Sequence, residues 1–157
     1  MKTFTKTALV LSLGVAAFGA LAGEIRDTTI DARSVVNYSS GTDSKAFQHV
    51  GVAFGSTGKI ENSYIQAYGS QNWATGSRAL AHQDIGVADG GKLKNVTVYA
   101  PYAGNFATGN DSVAVQQIGK AVGSNSKIEN TSIYAAGAYN AATATRSVAE
   151  QKIGVAQ

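Results

Sequence analysis

One alternating frame occurs four times along this chain, and no other feature limits its fold so strongly. The clearest copy is Ser112-Val-Ala114-Val-Gln116-Gln-Ile118-Gly119-Lys-Ala121. The others are Ser44-Lys-Ala46-Phe-Gln48-His-Val50-Gly51-Val-Ala53, Ala79-Leu-Ala81-His-Gln83-Asp-Ile85-Gly86-Val-Ala88 and Ser147-Val-Ala149-Glu-Gln151-Lys-Ile153-Gly154-Val-Ala156. Alternation with period two marks a β-strand with one constant face. Here that face carries a glutamine at the same place each time, which is not how a globular core is usually built.

The repeat is longer than this strand. Asn37, Asn72, Asn105 and Asn140 step by 35, 33 and 35 residues, and Ile30, Ile65, Val98 and Ile133 keep the same steps. So do Ala32, Ala67, Ala100 and Ala135, the series Ile25, Ile60, Leu93 and Ile128, and the series Asp27, Asn62, Asn95 and Asn130. The units are 25–59, 60–92, 93–127 and 128–157. A period of this size belongs to repeat architectures, in which each unit buries its apolar face only against its neighbours.

The chain is therefore expected to be all-β, a β-solenoid of four stacked units with amyloid-like cross-β order. Frequent Gly and β-branched residues, with no sustained helical period beyond the leader, exclude a helical repeat. Within a unit the period-two phase slips. Ile60 and Asn62 share a face, whereas Ile65, Ala67 and Gly69 have the opposite parity, so a bend is predicted near Ser63-Tyr64. Asn72-Trp-Ala74-Thr-Gly76 reads as a corner, because Asn and Gly tolerate the left-handed conformation. Gly51, Gly86, Gly119 and Gly154 are the predicted bend glycines. Pro101 falls on an expected strand, where it removes a ladder donor. One coil per unit is the preferred reading; two half-length coils per unit are the open alternative.

Stacking places equivalent residues about 4.8 Å apart. Asn37, Asn72, Asn105 and Asn140 then form one amide column, and Gln48, Gln83, Gln116 and Gln151 a second. Identical amides at that spacing can bond along the column, and an inward amide without such a partner is costly. Ile30, Ile65, Val98 and Ile133 form one inward apolar column, and Val50, Ile85, Ile118 and Ile153 another.

Residues 1–22 read as a secretory signal peptide: Lys2 and Lys6, an apolar run, then Ala20-Leu21-Ala22 as a small-x-small cleavage site. The expected location is extracellular, secreted or on the cell surface, without stable membrane insertion. Losing Lys2 and Lys6 lowers the net charge from +3 to +1, leaving no charge argument for nucleic acid. With no cysteine, a disulfide framework and thiolate metal sites are excluded.

Four coils make a slab about 15–20 Å tall with open strand edges above and below. Almost nothing precedes Ile25 in the expected mature chain and nothing follows Gln157 to cap those edges. Head-to-tail stacking does not close, so it produces a filament. Ile65-x-Ala67-x-Gly69-x-x-Asn72-x-Ala74 and Ile133-x-Ala135-x-Gly137-x-x-Asn140-x-Ala142 resemble the curli subunit repeat, I-x-Q-x-G-x-x-N-x-A. Unit length and the Ile-Gly-Val-Ala element resemble the Fap-type functional amyloids. Ala67 and Ala135 stand where curli repeats carry Gln, and the unit is longer. The resemblance implies the class, a secreted biofilm-matrix fibre subunit whose Asn and Gln columns are ladder residues. It also implies a nucleator subunit and an outer-membrane secretion pore as partners.

Ala107-Thr-Gly-Asn-Asp-Ser112-Val-Ala114 also resembles the head repeats of trimeric autotransporter adhesins, which implies the alternative of a monomeric or trimeric adhesin. No enzyme and no cofactor are expected: His49 and His82 read as solvated outward side chains, and the acids do not pair recurrently. Tyr68, Trp73, Tyr102, Phe106 and Tyr139 are candidates for lateral filament contacts.

Overall fold

The computed structural model describes residues 23–157; the predicted signal peptide lies outside the described residues. The first coil comprises β1 (Glu24–Arg26), β2 (Thr29–Asp31), β3 (Val36–Ser40) and β4 (Lys45–Ala53). The second comprises β5 (Lys59–Glu61), β6 (Tyr64–Gln66), β7 (Gln71–Thr75) and β8 (Leu80–Asp89). The third comprises β9 (Lys92–Lys94), β10 (Thr97–Tyr99), β11 (Gly104–Thr108) and β12 (Val113–Val122). The last comprises β13 (Lys127–Glu129), β14 (Ser132–Tyr134), β15 (Tyr139–Thr143) and β16 (Val148–Ile153).

Corresponding strands of successive coils pair in parallel, giving four four-stranded sheets, β1-β5-β9-β13, β2-β6-β10-β14, β3-β7-β11-β15 and β4-β8-β12-β16. The register matches like with like: Ile25 with Ile60, Ile30 with Ile65, Asn37 with Asn72, Gln48 with Gln83. Each unit is therefore one coil of a β-solenoid, and the half-length alternative is gone.

The predicted phase slip lies one residue earlier than expected. Asp27, Asn62, Asn95 and Asn130 have φ of 50°, 49°, 53° and 45°, a left-handed step that Asn and Asp tolerate best among side-chain-bearing residues. It turns the inward face from Ile60 to Ile65. The Asn72–Gly76 corner is overturned. Asn72–Thr75 lies inside β7, and the corners are Gly69, with φ 62°, before it and Gly76 after it. Asn72 has no exposure because its amide is satisfied inside the coil, and that outweighs the usual turn preference of Asn.

Gly51, Gly86, Gly119 and Gly154 take φ of 61°, 63°, 61° and 65°. The pairing steps over each of them where it continues: Ile85 faces Ile118, and the next pair is Val87 with Lys120. This skip exchanges the inward parity, so that Ile85 and Ala88 both enter the core.

The interior has two lobes. Ile60, Ile65, Ile85, Leu93, Val98 and Ile118 fill the larger and are fully buried, each contributing about 1.5–3 kcal/mol. The smaller is almost pure alanine: Ala46, Ala74, Ala79, Ala81, Ala107 and Ala114. Methyl groups alone let those walls meet closely. The Asn and Gln columns point into the same interior.

Pro101 is not in a strand, contrary to expectation. β10 ends at Tyr99, and Pro101-Tyr102 forms the corner, with Tyr102 at φ 57°. This is the Pro-then-positive-φ order of a type II turn. The ladder at this corner uses the amides one residue later: Gly69 donates to the Pro101 carbonyl at 3.0 Å and Tyr102 to the Ala136 carbonyl at 3.0 Å. Pro101→Ala is expected to change unfolding free energy by no more than about 1 kcal/mol, read from a denaturant midpoint.

Candidate functional site

The two amide columns are continuous hydrogen-bonded ladders of opposite sense. Asn37 Nδ2 donates to Asn72 Oδ1 at 2.8 Å, Asn72 to Asn105 at 2.9 Å, and Asn105 to Asn140 at 2.8 Å. Every donor points toward the last coil. In the other column Gln116 Nε2 donates to Gln83 Oε1 at 2.7 Å and Gln151 Nε2 to Gln116 Oε1 at 2.5 Å, while Gln83 donates to Gln48. Every donor there points toward the first coil.

Main-chain carbonyls fix these orientations. Asn105 Nδ2 lies 2.9 Å from the Val115 carbonyl and 3.1 Å from that of Ala81. Gln116 Nε2 lies 3.1 Å from the Ala103 carbonyl. A flipped amide would set oxygen against oxygen at each. Asn105 thereby ties β11 to β12 in its own coil and to β8 in the coil before.

The ladders end on strands that are outermost in every sheet, β1 to β4 at one end and β13 to β16 at the other. At the first edge Asn37 Oδ1 lacks a ladder donor, and Gln48 Nε2 lacks a ladder acceptor and donates only to the Val35 and Gln71 carbonyls, each at 3.3 Å. At the last edge Asn140 Nδ2 lacks a ladder acceptor and donates only to the Ala114 and Glu150 carbonyls, at 3.0 and 2.8 Å, and Gln151 Oε1 lacks a ladder donor; interior members such as Asn105 make the ladder bond besides their main-chain bonds. The last edge also uncovers core positions: Ile153 is 42% exposed, whereas its column mates Ile85 and Ile118 are not exposed. The outer ladder of Asn130, Asn95 and Asn62 ends in Asp27, which accepts from Asn62 at 3.0 Å and has no amide hydrogen to pass on.

The five aromatic candidates fall into two groups. Trp73 stacks on Phe106 at 3.9 Å, and Tyr139 leans on Phe106 at 5.3 Å, along the outer face of the third sheet. Tyr68 and Tyr102 meet edge to face at 5.7 Å over the neighbouring corner. Tyr38, in register with Trp73, and the stacked pair Tyr99–Tyr134 extend the same surface. Tyr38, Trp73 and Phe106, and likewise Tyr99 and Tyr134, keep the repeat step, whereas Tyr68, Tyr102 and Tyr139 do not.

The two histidines are not independent solvated side chains. They occupy successive coils on the outer face of the fourth sheet and converge on Asp84, which is in register with His49. His82 Nε2 lies 2.9 Å from Asp84 Oδ1; His49 Nδ1 lies 3.3 Å from Oδ2, out of line for a hydrogen bond. Phe47, Phe54, Gln117 and Lys120 complete the recess. Its hydrogen bond to Asp84 raises His82 above the ordinary imidazole value. Burial pushes the Asp84 carboxyl up, but the two histidines more than offset this and leave it below its ordinary value.

A raised His82 stabilises fully below its unfolded value of about 6.5, and that contribution fades as pH rises through the folded value. A lowered Asp84 stabilises above its unfolded value of about 3.9, and that contribution fades as pH falls through the folded value. Together they stabilise most between roughly pH 4 and 6.5. Asp84→Asn is therefore expected to cost more stability near pH 5.5 than near pH 8.5, measured by thermal unfolding. Equal losses at both would show that the cluster does not titrate as its geometry requires.

No family model, curated protein or solved structure matches this chain.

Proposed function

We propose that this chain is the structural subunit of a secreted extracellular fibre that grows by head-to-tail stacking of coils. One observation carries the reading: the two amide ladders end in complementary groups at opposite edges. When the last coil of one copy meets the first coil of the next, Asn140 donates to Asn37, and Gln48 of the incoming copy donates to Gln151. Parallel pairing continues without a change of step. Turning a copy over makes the strands antiparallel and sets like ends of the ladders against each other. Growth is therefore polar. Edge strands with matched partners are templates, and a joint of this type does not close.

The signal-peptide pattern supports export, and the curli-like and Fap-like motifs support a biofilm-matrix role. On that resemblance a nucleating subunit and an outer-membrane pore are its partners, and the aromatic surface is the lateral contact. Mature protein diluted from denaturant tests the proposal by electron microscopy and fibre diffraction. The expected result is unbranched filaments with a 4.7–4.9 Å axial reflection and a subunit repeat of about 19 Å, four strand spacings. A protein that remains monomeric at high concentration ends the proposal.

A further inference from the structure

The outward charges of the first and last coils complement one another at every column where both ends carry a full charge. The column at the corner before β4, β8, β12 and β16 reads Asp43, Arg78, Asp111, Arg146, alternating in sign at each coil. Main-chain bonds from Arg78 to Thr42, Asp111 to Ser77 and Arg146 to Asn110 stack these corners directly. Arg78 Nη1 and Asp43 Oδ1 lie 4.0 Å apart.

Two further columns flank Ile25 and its mates in the first sheet. One reads Arg26, Glu61, Lys94, Glu129, with Arg26 Nη2 2.8 Å from Glu61 Oε2. The other reads Glu24, Lys59, Lys92, Lys127, with Lys59 Nζ 3.2 Å from Glu24 Oε1. Three successive lysines repel one another, and among the described residues Lys127 has no ion pair.

We propose that these columns form a charge-keyed joint whose partner is a second copy of this chain; the inference rests on the fibre reading above. Continuing the internal register by one coil brings Arg146 to Asp43, Glu129 to Arg26 and Lys127 to Glu24 of the next copy. All three contacts are between opposite charges. Lys152 comes to His49, whose imidazole already leans on Asp84. A strand-level slip brings the wrong faces together and separates the charge columns. The ladders set the direction of growth, and the charges select the register and the partner.

The test uses two double variants of the mature chain. Lys127→Glu with Arg146→Glu reverses the tail; Glu24→Lys with Asp43→Lys reverses the head. Circular dichroism establishes that each folds, and sedimentation gives its critical concentration for assembly. Each variant alone is expected to need about tenfold more protein than wild type. A 1:1 mixture regains the wild-type value, because each reversed end then meets its complement. In about 1 M sodium chloride, where the Debye length is about 3 Å, the difference disappears. Wild-type protein supplies a second readout that needs no variant: its own critical concentration rises several-fold over the same change in salt. Filaments that form equally well from each variant alone, or a wild-type value that does not rise with salt, overturn the keyed joint and leave the fibre standing. A wild-type protein that forms no filament at all removes both.

Discussion

Gly86→Ala is expected to lower the unfolding free energy by about 3 kcal/mol, while the same substitution at Gly154 costs only about 1. The two glycines have nearly the same backbone, φ 63° and 65°. Either alanine therefore carries the left-handed penalty of about 1 kcal/mol. The difference comes from the coil that follows. A Cβ on Gly86 would lie 2.6 Å from Val98 Cγ2, whereas one on Gly154 would meet nothing nearer than Ile133 Cδ1 at 3.5 Å. Val98 has no exposure and is held between Ile65 and Ile133 in its own column, so it cannot yield without opening the larger lobe. Urea midpoints for the two variants check this directly. Equal losses would mean that successive coils do not nest glycine under aliphatic, and the stacking itself would be in question.

Why glycine is needed there shows what could be read from residues alone and what could not. The steps of 35, 33 and 35 predict the pairing, because parallel in-register stacking is the one arrangement that sets every repeated residue beside its own kind. The Asn and Gln columns follow from the same rule. Corners were less accessible. Asn is both a turn former and a ladder former, and local preference alone cannot tell Asn62, left-handed and at the surface, from Asn72, extended and buried. Pro101 is ambiguous for a related reason, since a strand and a type II corner both accept the residues around it. The His49–Asp84–His82 cluster occurs once, and repetition, the strongest signal in the sequence, has nothing to say about it. It emerges only when register brings His49 beside Asp84. The opposite sense of the two ladders was likewise hidden, because which way an amide points depends on the carbonyls around it.

That opposite sense separates folding from assembly at single positions, and this gives the second large effect. Gln116→Leu strikes the fold. It strands the buried Gln83 Oε1, leaves the exposed Gln151 Nε2 to solvent and removes one of two bonds to the Ala103 carbonyl, which keeps that from the Tyr139 N–H; an unfolding loss of about 2–4 kcal/mol is expected. Gln151→Leu strikes the joint. In the single molecule Gln151 is exposed and donates only to Gln116, whose buried Oε1 the change leaves without that donor, so folding loses about 1–3 kcal/mol. In the proposed filament the same change would remove the acceptor for Gln48 of the next copy. Gly154→Ala joins it there: Gly51, Gly86 and Gly119 each lie against the aliphatic Ile65, Val98 or Ile133 of the following coil, so in the proposed filament a methyl at Gly154 would meet Ile30 of the next molecule. Combined, Gln151→Leu and Gly154→Ala are expected to slow seeded elongation at least about a hundredfold, the kinetic equivalent of about 2.7 kcal/mol, in a protein whose monomer still folds. Seeded growth followed by thioflavin fluorescence, beside urea unfolding of the monomer, reads the two quantities separately. Elongation that falls only in proportion to monomer stability would place growth somewhere other than the rims of the coil stack.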